Sequence, residues 1–161
     1  MGTHIHRSGP VSLEQVEVHL TSSVPTATIN PGDLVFAAIT ANVSYVKPVT
    51  AMTWNTDLAT TQADLTALLL GVASGRSRIG STDTRDLKVL VNMEGVYEME
   101  AVSGTYEVGQ YVGCAKDTGN ALLNKVTAVA TKSLAVGVVV ENTVSAATRI
   151  KVRLLNTPPL R

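Results

Sequence analysis

No proline interrupts residues 49 to 157; four of the six prolines (Pro10, Pro25, Pro31, Pro48) lie before that span, and Pro158 and Pro159 follow it. Proline removes a ladder donor and is kept out of central strands, so the long middle of the chain can be continuous sheet. The first part reads instead as an arm and edge strands. Nine of the twelve glycines fall between Gly71 and Gly137, where they can punctuate short strands with turns and bulges.

Period-two alternation dominates that middle and its flanks. In "QVEVHL" Val16, Val18 and Leu20 share a face; in "RIKVRLL" Ile150, Val152 and Leu154 oppose Lys151, Arg153 and Leu155. "DLKVLV" groups Leu87, Val89 and Val91, and "GVYEMEAV" separates Tyr97, Met99 and Ala101 from Glu98 and Glu100. These two runs predict a hairpin across "NMEG". About ten segments qualify as strands on this pattern. "LVFAAIT" and "LAVGVVVE" are apolar on both faces, as expected of strands buried on both sides. One helix is expected, in "TDLATTQADLTALLL": Thr60 or Thr61 supplies the capping acceptor, Asp64 sits near the first turn, and Leu58, Leu65, Leu68 and Leu69 form the apolar stripe of about two turns. "GRSRIGSTDTRD", residues 75–86, reads as an exposed loop.

A pattern occurs twice. "INPGDLV" and "YEVGQYV" each place a large residue, two spacers, a glycine, a polar residue, one spacer and a valine, and each is followed by an apolar run around Gly-Val, "LLLGVAS" and "LAVGVVVE". In each copy the glycine permits a tight bend before a strand, and the polar residue after it can bond the backbone of that bend. The recurrence is either a duplicated β unit, 29–74 and 106–141 with the helix inserted in the first copy, or chance in a Val- and Gly-rich chain. The expected organisation is an N-terminal arm with an edge strand, residues 1–28, and a β-rich body, residues 29–161. The arm, Met1 to Ser12, has little to bury and would reach about 40 Å if extended. The strand at Gln15–Leu20 is a candidate for pairing with a neighbour's sheet edge.

The sequence is poor in catalytic signatures: it has no phosphate loop before a lysine, no HExxH, no nucleophile elbow and no dinucleotide fingerprint. The three histidines, His4, His6 and His19, all lie near the N-terminus. His4 and His6 share one side of an extended segment, but no Cys or close carboxylate completes a metal site, so a polar arm is expected there. Glu98 and Glu100, and Asp83 and Asp86, read as solvated acids. Cys114, the single cysteine, excludes an intramolecular disulfide and is expected to pack as a small apolar residue. No catalytic, cofactor-binding or metal-binding residue is therefore expected, and no enzyme. Arg149, Lys151, Arg153 and Arg161 make the C-terminus basic, but with one Trp, four Tyr and one Phe in the whole chain a nucleic-acid footprint is not expected. No apolar run is long enough to span a membrane or to form a secretory signal, which predicts a soluble protein made in the cytoplasm.

Charge is conspicuous where it is missing. Charged residues are 16% of the chain, and from Val18 to Thr56 the only formal charges are Asp33 and Lys47. Globular domains average about 25% charged residues, and interface cores are depleted of charge. The formal net charge is zero, whereas a protein living alone is kept soluble by a net charge away from zero. These features fit either an ordinary β core or a surface covered by partners.

Taken in order, "INPGDLVFAAI", "VKPVTAMTWNTDLATTQADLTALLLGVAS", "GVYEMEAVSGTYEVGQYVGCAKDTGNALLNKVTAVATKSLAVGVVVE" and "TRIKVRLL" resemble small tailed-bacteriophage capsid decoration (cement) proteins, over roughly Ile29 to Leu155. The resemblance implies a mainly β, compact β-barrel or β-tulip-like body with one short helix and an extended N-terminal arm. It further implies a homotrimer on the exterior of the capsid, bridging neighbouring major capsid protein subunits, with no catalytic residue to carry over. A head-tail joining or tail component is the alternative within viral structure. A small trimeric ligand-binding β domain, with Asn42–Asn55 and Trp54 lining a sugar site, is the alternative outside it.

Overall fold

A computed structural model of the chain describes residues 5–6, 15–19, 27–40, 43–83 and 88–155, with the side chains of the first two segments and of residues 39, 40 and 43–45 left aside. Among the described residues, eleven strands and one α-helix follow one another: β1 (Ile5–His6), β2 (Gln15–His19), β3 (Leu34–Thr40), β4 (Val43–Pro48), α1 (Leu58–Leu68), β5 (Leu69–Ala73), β6 (Lys88–Asn92), β7 (Val96–Gly104), β8 (Tyr111–Lys116), β9 (Leu122–Ala128), β10 (Gly137–Val139) and β11 (Ala147–Leu154). The expected mainly β body with one helix is what the chain forms.

The strands make two sheets with the same internal order. One runs β2-β6-β5-β3-β4; the other runs β7-β11-β10-β8-β9 and carries β1 on the outer side of β7. All ladders are antiparallel except the contact of β7 with β9, where Ala101 meets Val126 in parallel and closes the second sheet into a five-stranded barrel. The first sheet is curled, with β2 returning near β4. In each, the strand leaving the glycine turn (β3, β8) lies between its successor (β4, β9) and the Gly-Val strand (β5, β10). The patterns at 29–74 and 106–141 thus sit inside two larger units of matching strand order. They differ in one connection: β4 reaches β5 through a 3-10 turn at Val49–Ala51 and then α1, whereas β9 reaches β10 through a 3-10 turn at Lys132–Leu134 alone.

The two turns are built alike. Asp33 N–H donates to Asn30 O at 3.0 Å, and Gln110 N–H donates to Glu107 O at 3.1 Å. Gly32 and Gly109 take φ values of 91° and 88°, the conformation a type II turn demands at its third residue. The side chain closing each turn also bonds back: Asp33 Oδ2 accepts from Asn30 N at 2.7 Å, and Gln110 Oε1 accepts from Glu107 N at 3.3 Å. Each turn is then stitched to its Gly-Val strand by two bonds: Gly32 N–H donates to Ala73 O and Ala73 N–H to Asp33 O, and Gly109 N–H donates to Val139 O and Val139 N–H to Gln110 O, at 2.7–2.9 Å.

Alternation along β3 feeds two apolar clusters. Leu34 and Phe36 join Val49, Leu65, Leu69 and Val72 in a core shared with the barrel interior, where Tyr97, Met99, Val112, Cys114, Ile150 and Val152 pack. Val35 points the other way, into a second cluster with Ile29, Val46, Leu70, Val89 and Val91 inside the first sheet. This is why "LVFAAIT" carries no polar face. Tyr97, Met99 and Ala101 are buried, as are Ile150, Val152 and Leu154, in line with their alternation.

The expected hairpin and the expected cap and length of the helix are corrected. The runs at β6 and β7 do not form a hairpin: β6 pairs with β2 and β5, and β7 with β11, because the chain crosses from one sheet to the other through Met93–Gly95. The helix is capped by Asp57, extended at φ −146° and accepting from Thr60 N at 2.8 Å, not by Thr60 or Thr61; Thr61 is one turn inside and bonds Asn55 and Asp57 carbonyls. It spans eleven residues rather than two turns, and Leu69 already belongs to β5. Gln15–His19 pairs with β6 of its own chain, Val18 opposite Val89, and is the end strand of that sheet, which leaves the expected pairing of this segment with a neighbour's edge open. In the loop at 75–86, Arg76, Arg78 and Ile79 are exposed but Ser77 is buried in a bridge with Ile29; residues 84–86 lie outside the described set.

The glycine of each Gly-Val strand sits where backbone or side chain passes too close for a methyl group. A Cβ on Gly71 would lie 2.1 Å from Asn92 O, and one on Gly137 would lie 2.2 Å from Val152 Cγ1 and 2.7 Å from Arg153 O. Gly71→Ala and Gly137→Ala are each expected to destabilise the fold by about 2–4 kcal/mol in urea unfolding, whereas Gly80→Ala, with open space around it but positive φ, loses only about 1 kcal/mol.

Candidate functional site

The first glycine turn differs from the second in one respect that matters chemically: it ends on a carboxylate, and that carboxylate reaches the other sheet. Asp33 Oδ1 accepts from Asn124 Nδ2 at 3.0 Å, and Asn124 Oδ1 accepts from Leu34 N at 3.0 Å. The amide of a β9 residue is therefore clasped between the side chain of one β3-turn residue and the backbone of the next. Asp33 is 9% exposed. Burial raises its pKa above the ordinary 3.8, opposed by the hydrogen bond from Asn30 N–H. Since the folded state holds this proton more tightly, ionising Asp33 weakens the fold as pH rises through the window above 3.8.

A cleft of about 450 Å³ opens beside this clasp, lined from the first unit by Asp33, Pro48 and Thr50 and from the barrel by Glu100, Leu123 and Lys125. The parallel contact of Ala101 with Val126 sets Glu100 and Lys125 side by side across the β7–β9 seam. Glu100 was read as a solvated acid; it is half-buried and belongs to this cleft. Asn124 and Lys125 were not singled out from the sequence. A usable signal was there: Leu122, Asn124 and Val126 share one face of β9, so Asn124 is a polar residue at an inward position of a strand.

The other residues considered from sequence are placed as follows. Cys114 is fully buried in the barrel core, and burial pushes its thiol up to about 12, which leaves no thiolate at neutral pH. Its carbonyl accepts from Gln62 Nε2 at 2.7 Å, fastening α1 to the barrel, and Gly113 leaves room for that approach. Glu98 pairs with Arg149 at 3.2 Å and Lys151 with Glu141 at 2.5 Å, so two basic residues of the C-terminal strand face acids rather than a ligand. Asp86, which the sequence pairs with Asp83, lies outside the described residues, as do His4 and Arg161. His6 and His19 are placed on β1 and β2 by their backbone only. Trp54 is half-buried beneath Lys116, whose ammonium lies 5.6 Å from the ring centroid, and it does not line the cleft. Among the described residues no group of three or more His, Cys, Asp or Glu could hold a metal, and no helix is long and apolar enough to cross a membrane.

A second surface feature surrounds Tyr106. Its hydroxyl donates to Val102 O at 2.5 Å, its N–H to Thr143 Oγ1 at 2.9 Å, and its carbonyl accepts from Thr143 N at 2.9 Å. Next to it Val108 N donates to Asn142 Oδ1 at 2.8 Å. These bonds fix a corner of the barrel from which Val102, Val108 and Val144 project, exposed by 42%, 60% and 86%.

No family model matches the chain, and no curated protein or solved structure matches it.

The clasp makes a measurable claim. Asn124→Ala, which leaves Leu34 N–H and one Asp33 oxygen without their partner, is expected to cost about 2–3 kcal/mol in denaturant unfolding. Asn124→Asp keeps the acceptor for Leu34 but sets two carboxylates together, so their folded pKa values rise; its stability should approach wild type in acid and fall as pH increases past the ordinary carboxylate range.

Proposed function

We propose that this chain is a virion structural protein, a capsid decoration (cement) protein that stabilises a tailed-phage head from outside by bridging neighbouring major capsid protein subunits, as a homotrimer. The observation that carries the reading is the corner at Tyr106: three apolar side chains held out in water by a hydrogen-bonded frame, on a body of two β units joined by one shared apolar cluster. Exposed apolar groups that are already fixed lose little freedom on docking, which favours a contact surface over a loose loop. The low charge content and zero net charge support the same reading, since both suit a surface that is largely covered after assembly.

The energetics need no chemistry. A protein that binds the assembled shell and not its separated subunits stabilises assembly by mass action, and three linked copies raise the effective concentration of each contact. No residue is assigned a catalytic role, and no cofactor, nucleic acid or membrane enters the mechanism.

Purified protein is expected to have the native mass of a trimer and to co-sediment with undecorated heads. Val108→Asp combined with Val144→Asp should leave the circular dichroism spectrum unchanged and weaken uptake by about 10-fold or more. Failure of wild type to co-sediment at any salt concentration contradicts the proposal, and a ring of six or more copies in solution favours the joining role instead.

A further inference from the structure

The cleft between the sheets has no part in that docking corner, yet its lining is chemically selective. Asp33 is a nearly buried carboxylate whose two oxygens each hold one neutral donor, Asn30 N–H and Asn124 Nδ2. A carboxylate oxygen has two acceptor sites, so each has capacity for one more donor. Glu100 adds a second negative charge to the opening, and Lys125 beside it adds one positive charge. Among the described residues no ion pair joins Glu100, Lys125 and Asp33, although the three line one space. Pro48 and Leu123 supply apolar wall, and Thr28 and Thr50 add hydroxyl groups that accept hydrogen bonds.

We propose that this cleft is a binding site for a cationic side-chain head, the ammonium of lysine or the guanidinium of arginine, presented by a partner protein. The apolar wall sheathes the methylene stem, while the acids receive the charge. A cation brought to Asp33 offsets the desolvation that its ionised form suffers, and hydrogen bonds to a charged partner are the stronger kind. Lys125 at the same opening repels a run of basic residues and pairs with an acid next to the incoming cation. The site therefore selects a mixed-sign segment over a polybasic one. Only the identity of the chain that presents the cation rests on the decoration reading; the ligand chemistry does not.

The test is a nuclear magnetic resonance titration of the full chain with Nα-acetyl-lysine methylamide and Nα-acetyl-arginine methylamide, using the neutral norleucine analogue as control. Saturable shifts of the Asn124 side-chain amide and the Thr50 backbone amide are expected with the cationic probes only, and Glu100→Gln should weaken them about 5-fold. Equal response to the neutral probe, no saturable response, or no change in Glu100→Gln overturns the site. Uptake by undecorated heads is read separately. Heads that bind wild type and Glu100→Gln equally, with no probe binding, remove the cleft and leave the decoration reading standing; probe binding without uptake does the reverse.

Discussion

Leu34, the first residue of β3, gives its N–H to Asn124 of the opposite sheet, and the residue before it holds the other end of the same amide. That bidentate clasp ties the entry of the first unit to the seam of the second. With β3 anchored at its start, its alternation delivers Leu34 and Phe36 to the core shared with the barrel and Val35 to the separate cluster within the first sheet. A slip of one residue would exchange these faces and empty both. Gln62 completes the join from the helix, reaching the Cys114 carbonyl across the gap left by Gly113. The two units accordingly share one core rather than meeting at an exchangeable surface.

The matched strand orders show how one local device can serve two ends. Both turns use a glycine at positive φ, both bond back through a side chain, and both lean on a Gly-Val strand whose glycine lets a neighbour approach. At Gln110 the device is neutral and finishes a corner that presents apolar groups to solvent. At Asp33 it is charged, half-sealed between sheets, and borders a cleft with Glu100 and Lys125. The carboxamide at one turn and the carboxylate at the other are the clearest chemical difference between the two copies of the device.

Much of this was legible in the sequence. The glycine turns, the buried faces of β7 and β11, the apolar character of β3 and the existence and place of the helix all follow from local pattern, because period and turn chemistry act over a few residues. Partner choice does not. The alternation of "DLKVLV" and "GVYEMEAV" marks two strands but says nothing of whether they pair with each other, and the actual partners of β6 and β7 lie elsewhere in the chain. The helix cap went to Asp57 over two threonines that could each have supplied an oxygen, since only Asp57 has the extended backbone that precedes the first turn. The cleft was invisible for the same reason as the pairing: Asp33, Glu100 and Lys125 come from three strands or their flanks, and it takes the β7–β9 closure together with the Asn124 clasp to set them round one space. Asn124 alone left a trace, as a polar residue among inward-facing ones.

A rigid body with a fixed corner is the physical basis of the proposed clamp, and it requires the two units to unfold together. Hydrogen exchange across β5 and β10 measures this most directly. The slowest amides of both strands should exchange through one global opening, with matching free energies and matching dependence on denaturant. If one unit opens while the other stays protected, with free energies several kcal/mol apart, the shared core does not bind the units into one structure and the account fails.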